Sequence, residues 1–306
     1  MNGSWPTREA RRCELEDALV AHAQKHPLPG IADADCRQAL SLQFVSSLRR
    51  QDYTRRLLAR PVDPARADPH SAMFDPERAV VQHLRAGDED EAAWLIFLMT
   101  HFGNAGSQGW RRLADVYGKL GEGVWDWPTT AADTAEFARW LGANHGKIRG
   151  RFGNHRKYES LGAPAPNGTG AVVASYVAWI GGSHREHFAE AIREAGNDPA
   201  NVFDVIYRDM AVRRFGRLAK FDYLALIGRY AIAPVEPGSA YLVGATGPTR
   251  GAHLLFDGRV DGRTSSAELQ RRLDDLDADL HVGMQAMEDA LCNWQKSPRR
   301  FVNFTG

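Results

Sequence analysis

Five stretches of this sequence hold side chains whose types and spacing could do chemistry. In 211–229, counted at about 100° per residue, Asp222 shares an apolar stripe with Phe215, Leu218, Ala219, Ala225 and Leu226. Arg213, Arg217 and Lys220 point to the other side. A carboxylate on an apolar stripe is costly unless it is paired or used. Burial would raise its proton affinity, as suits a general base. The plainer reading is an Asp that caps a helix or pairs an Arg, as structural ion pairs outnumber catalytic ones. Lys220 lies about 160° round the helix from Asp222, which disfavours a joint lyase step. A second carboxylate pair, Glu288 and Asp289, falls with His281, Gln285, Cys292 and Lys296 on one polar stripe of 281–296. That stripe could line a cleft or be a solvated helix face.

The third stretch is cationic. From Phe137 to Tyr158 there is no acidic residue, while Arg139, Lys147, Arg149, Arg151, Arg156 and Lys157 supply positive charge among Gly146, Gly150 and Gly153. Glycine lets backbone amides approach a phosphate, and Arg and Lys neutralise it. A solvated basic loop is the alternative. In Gly121–Pro128, Trp125 and Trp127 flank Asp126, as rings that stack an extruded base or anchor the core. Gly244–Ala252, with Arg250, resembles a phosphate-holding hairpin out of the usual register, or a plain helix–helix turn. The eleven histidines show no metal-ligand spacing, and no metal or cofactor is expected. Cys13, Cys36 and Cys292, an odd number without a close pair, exclude a disulfide framework and a four-cysteine cluster.

The elements that must position these groups read as helical. Three- and four-residue apolar spacing predicts helices over 8–25, 36–60, 76–86, 88–102, 108–119, 130–144, 168–180, 184–195, 201–230 and 265–296, the last broken near Gly283. Pro61, Pro64, Pro69 and Pro76 mark a linker, and Pro164, Pro166, Asn167 and Gly168 a turn. The fold class is all-α, with an N-terminal helical extension over 1–75 and a core domain over 76–306.

Composition bounds the function. The 306 residues carry 38 basic and 38 acidic side chains, so no polycation coat is present. A 43% hydrophobic and 25% charged chain is ordinary for a globular protein. The run Trp94–Met99 is far short of the ~20 residues that span a bilayer. The N-terminus lacks the apolar core of a signal peptide, so a cytoplasmic location is expected.

Four runs carry a family resemblance. They are Gly109-Trp-Arg-Arg with Asp115-Val-Tyr-Gly-Lys-Leu-Gly-Glu-Gly, the stretch Phe152–Leu161, the stretch Phe215–Leu224 and the stretch Met284–Ser297. They resemble the α-glutamyl/putrescinyl thymine pyrophosphorylase proteins, a group placed in the DNA glycosylase superfamily. The likeness extends over about 90–304. It implies a two-lobed fold of the helix–hairpin–helix glycosylase type, with double-stranded phage DNA bearing modified bases in the cleft. Against the standard glycosylase pattern, the hairpin is imperfect and Asp257 and Asp261 follow it too early.

The expected function is that of a monofunctional DNA N-glycosylase, a monomer in anti-phage defence. It would excise a hypermodified pyrimidine, such as glucosylated hydroxymethylcytosine, after base flipping. The catalytic carboxylate is expected in Asp222, with Asp289 and Glu288 as rivals. Gln285, Asn154, Trp125 and Trp127 would hold the base. Arg149, Arg151, His155, Arg156, Lys157, Arg217 and Arg250 would meet the DNA. The alternatives are a transferase that displaces pyrophosphate from a pyrophosphorylated hydroxymethyl-thymine base, and a modified-base reader without chemistry.

Overall fold

The computed structural model describes residues 5–162 and 165–304. Met1–Ser4 of the N-terminal reading and Pro164 of the expected turn lie outside them. All regular structure among the described residues is helical. In chain order the helices are α1 (Glu9–Lys25), α2 (Ala34–Ala59), α3 (Pro76–Arg85), α4 (Glu89–Phe102), α5 (Arg111–Tyr117), α6 (Trp127–Ala132) and α7 (Thr134–Asn144). They continue with α8 (Thr169–Ile180), α9 (His184–Ala195), α10 (Pro199–Asp209), α11 (Arg217–Arg229), α12 (Gly247–Asp257), α13 (Ser266–Leu280) and α14 (Met284–Trp294). Among the described residues no helix is long and apolar enough to cross a membrane.

Local chemistry fixes many of the starts. Asp75 and Asp198 each accept two backbone N–H groups of the turn they open, and Pro76 and Pro199 follow as first helical residues. Asp88, Asp126, Asp133, Ser183 and Ser265 cap in the same way. The Asp133 cap splits the helix expected over 130–144 into α6 and α7. The helix expected over 201–230 also splits: Met210 leaves the helical region at ψ 97° after α10, and Arg214 takes a left-handed backbone at φ 62° before α11. Gly283, at φ 79°, separates α13 from α14 as expected.

The chain forms two compact units. One joins the residues up to Tyr53 with Pro237–Phe304, and the other is Thr54–Glu236. The first unit thus draws on segments near both ends of the sequence. The reason is apolar. Leu15, Leu19, Leu40 and Phe44 share a core with Leu255, Leu273, Leu276, Leu291 and Trp294. Within this unit α12 lies tightly on α14 because Gly251 has no side chain: a Cβ there would stand 2.3 Å from the Leu291 carbonyl oxygen. The stretch compared with a phosphate-holding hairpin is a turn that enters α12 at Gly247.

In the unit Thr54–Glu236, α4 is the central helix. Every residue from Glu91 to Phe102 is buried. It packs against α3, α5, α6, α9 and α11. Its apolar run, too short for a membrane, serves instead as a helix surrounded on all sides.

Candidate functional site

The first carboxylate candidate from sequence is Asp222. It is half-buried on α11. The stripe counted from sequence is the margin of the buried face rather than its centre. Ala219 and Ala225 are buried, Leu218 and Leu226 are only half-buried, and Phe215 lies before the helix. The negative charges of Asp222 and Glu159 both act on Arg156.

Arg156 is 9% exposed. It ends a short 3-10 turn, Asn154–Arg156, that docks on the last turn of α4. The docking depends on Gly153, whose N–H donates to the Phe102 carbonyl at 2.8 Å. A Cβ at Gly153 would meet the Asn104 carbonyl at 2.8 Å. From there the Arg156 Nε donates to the Thr100 carbonyl at 2.9 Å, and the guanidinium stands 5.1 Å from the centre of the Phe215 ring. A cation on a helix's last free carbonyls is favourably placed. Arg156 Nη2 is buried and has no partner among the described residues.

His101, on the same turn of α4, is fully buried among Phe97, Phe102 and Phe152. Burial, and then the charges of Arg156 and Arg214, push it down to about 3, so the ring is neutral. Thr169 Oγ1 donates to the Ser160 carbonyl at 3.0 Å. It must therefore accept from His101 Nε2, 3.0 Å away. That fixes the proton on Nε2 and leaves Nδ1 a bare lone pair. Nδ1 is buried without a partner among the described residues. Arg214 completes the group through a fork onto Glu159, at 3.1 and 3.2 Å.

A second polar chain crosses the same unit. Asp90 accepts from His184 Nδ1 at 2.8 Å and from its backbone N–H at 2.6 Å. His184 Nε2 lies 2.7 Å from the Tyr176 hydroxyl, which lies 2.9 Å from that of Tyr223. Since Nδ1 holds the proton, Tyr176 donates to Nε2 and Tyr223 to Tyr176. Burial lowers His184 and raises both tyrosines. Phe97 stacks on Tyr176, with centroids 3.7 Å apart, and on Phe215 at 5.2 Å, so aromatic rings join the two polar groups. Neither His101 nor this chain was found from sequence. The available signal was polar residues, His101 and Asp90, at the ends of an apolar run.

The basic stretch divides. Arg149 is committed to Asp115, with guanidinium bonds of 2.9 and 2.7 Å and a backbone bond of 2.8 Å. Arg156 is buried. Arg151, Asn154, His155 and Lys157 are exposed. Tyr158 is 80% exposed, with the Lys157 ammonium 5.1 Å from its ring centre. Trp125 and Trp127, expected from sequence to hold the base, lie in the interior. They are 1% and 4% exposed, Trp125 packed on Phe137 and Trp127 on His184. Arg217 lies over Phe221 at 4.8 Å, and Arg250 is exposed on α12.

The α14 carboxylates lie in the other unit. Asp289 is bonded by Arg50 and by Asn293 Nδ2. Glu288 is 5% exposed, so this is not a plain solvated face, and Gln285 is half-buried. Of the three candidate carboxylates, only Asp222 belongs to the unit that holds Arg156 and His101.

The model of the family alpha-glutamyl/putrescinyl thymine pyrophosphorylase clade 3 matches residues 35–306. No curated protein and no solved structure matches the chain.

Proposed function

We propose a function from one premise: the chain belongs to the alpha-glutamyl/putrescinyl thymine pyrophosphorylase family. It is an enzyme that processes a modified thymine. Its substrate is that base within DNA, and its reaction is cleavage of the N-glycosidic bond. The nucleotide leaves the stack at a cost of a few kcal/mol and enters the unit Thr54–Glu236. The C1′–N1 bond breaks and its electron pair leaves with the base. Water adds at C1′ and gives up a proton, so the products are free base and an abasic site. The sugar is cationic as the bond breaks, and a fixed carboxylate lowers the energy of that state. The observation that carries this reading is Asp222, a half-buried carboxylate acting on the buried Arg156 beside a cluster of aromatic rings. The exposed Arg151, Lys157 and Tyr158 supply a surface suited to phosphate and to a stacked base.

A second chemistry has its own observation. Arg156 and Arg214 stand close enough that the charge of Arg214 disfavours that of the buried Arg156. Such a pair suits a departing pyrophosphate, and the same bound thymine would then exchange pyrophosphate for an incoming nucleophile at its 5-substituent.

One experiment decides. The purified protein is incubated with phage DNAs that carry different modified thymines, and products are followed by mass spectrometry. Free base with abasic sites is expected. Released pyrophosphate replaces that reading with the second. Tight binding without either product overturns both and leaves a reader of modified DNA.

A further inference from the structure

Two buried hydrogen-bonding atoms of opposite sense are left open in one cluster. His101 Nδ1 is a lone pair and Arg156 Nη2 is an N–H, and neither has a partner among the described residues. Leaving such atoms unpaired in the interior is costly. Among the orphaned side-chain atoms of the described residues, His101 Nδ1 alone can only accept. The two residues are near neighbours, since the Arg156 Nε bonds the carbonyl of Thr100, the residue before His101, at 2.9 Å. Phe97, Phe102 and Phe152 surround the imidazole, and Phe215 lies under the guanidinium.

We infer that His101 and Arg156 read the pairing edge of the bound base: His101 Nδ1 accepts the N3–H of a thymine-type ring, and Arg156 Nη2 donates to a flanking carbonyl. The inference rests on the proposal that a modified thymine binds in this unit, under either chemistry. An anion fits less well. A phosphate or carboxylate satisfies Arg156 but sets its own lone pairs against Nδ1. The ring cannot relieve that by taking a second proton near neutral pH, because burial and two cations oppose it. A thymine-type edge offers a donor beside an acceptor, the complement of what stands open. It also keeps the 5-substituent off the recognised edge, so one pocket accepts bases that differ only in that substituent.

Two substitutions separate reading from folding. Glutamine sets its amide near the position of Nε2 and can keep the bond to Thr169. Asparagine sets an oxygen near the position of Nδ1 and can keep the acceptor. The full-length protein, His101→Gln and His101→Asn are titrated with oligonucleotides carrying one 5-(hydroxymethyl)uracil, its N3-methyl derivative, or 5-(hydroxymethyl)cytosine. A melting curve on each preparation verifies the fold.

The unaltered protein is expected to bind the N3-methyl oligonucleotide more weakly by tenfold or more, about the scale of one unpaired buried acceptor. In His101→Gln that penalty should shrink by about tenfold, and in His101→Asn it should persist. An equal penalty in folded unaltered protein and folded His101→Gln overturns the inference and leaves the function standing if product still forms. A preference for the cytosine-type base overturns it too, because the donor would then be an exocyclic amine. No preference for any modified oligonucleotide over plain DNA overturns the inference and the proposed function together.

Discussion

Asp222 acts on Arg156 from unlike surroundings: the carboxylate reaches solvent, and the guanidinium is 9% exposed. Asp222→Asn is expected to slow single turnover by at least ~100-fold, the scale of one preorganised electrostatic group. DNA affinity should stay near its original value. The melting point should fall as well, because the buried Arg156 loses one of two counter-charges. Turnover per folded molecule is therefore the deciding readout, and an unchanged value would make Asp222 a structural partner only. Glu91 shows what burial does to a carboxylate held by uncharged donors. Desolvation raises it from an ordinary 4.5 to about 7, against the hydrogen bonds from the Trp127 N–H and the Tyr117 hydroxyl. A raised folded-state value means that the folded protein holds the proton more tightly than the unfolded chain. The stabilisation is then complete below about pH 4.5 and is lost as pH rises through 7. Relative to Glu91→Gln, the protein should lose up to about 3 kcal/mol between pH 4.5 and 8 in denaturant titrations. A pH-independent difference would show that the carboxyl is ionised throughout.

The loop after α7 shows how an element divides the labour of its charges. Arg149 and Arg112 anchor it, Arg149 on Asp115 and Arg112 on the Gly150 carbonyl at 2.5 Å. Arg151 and Lys157 remain exposed. Replacing Arg151 and Lys157 together by Gln should lower the salt dependence of DNA binding by about one unit of slope per lost phosphate contact, with the melting point unchanged. Asp115→Asn should do the reverse, lowering the melting point first. An unchanged slope in the double variant would remove the loop from the DNA surface. Element starts were legible in sequence wherever Asp-Pro or Ser-x-x-Glu marked them, at 75, 198, 183 and 265. The break at 210–216 was not, because nothing in Arg214 announces a left-handed backbone. The same limit applies to the site. Asp222 and Arg156 stood out by type and neighbours. Whether an Arg in a basic run is buried depends on Gly153 docking against Phe102, a contact between segments distant in sequence. His101 looked like the end of an apolar helix, and the open lone pair follows only from Thr169, 68 positions away.

At the scale of the whole molecule, a helix near one end of the chain builds its core with helices near the other. α1 gives Leu15 and Leu19 to the cluster that holds Leu269, Leu273, Leu276 and Leu280 of α13. The short 3-10 turn Pro29–Ile31 lies against α12 so closely that a Cβ on Gly30 would stand 2.0 Å from the Leu254 carbonyl oxygen. Residues from this end are therefore expected to support the core that they share with the helices near the other end. Deleting the residues through Ile31 strips Leu15, Leu19, Leu28 and Ile31 from a shared core. At about 1.5–3 kcal/mol for each buried aliphatic side chain, the loss approaches the 5–15 kcal/mol that holds a typical domain folded. The amides of α12 and α13 should lose hydrogen-exchange protection in the truncated protein, measured against α4 in the same sample. Unchanged protection would mean that α12, α13 and α14 hold their core without α1. The site residues Asp222, Arg156 and His101 all belong to the unit Thr54–Glu236, so the truncation also asks whether turnover needs the unit that the chain ends build.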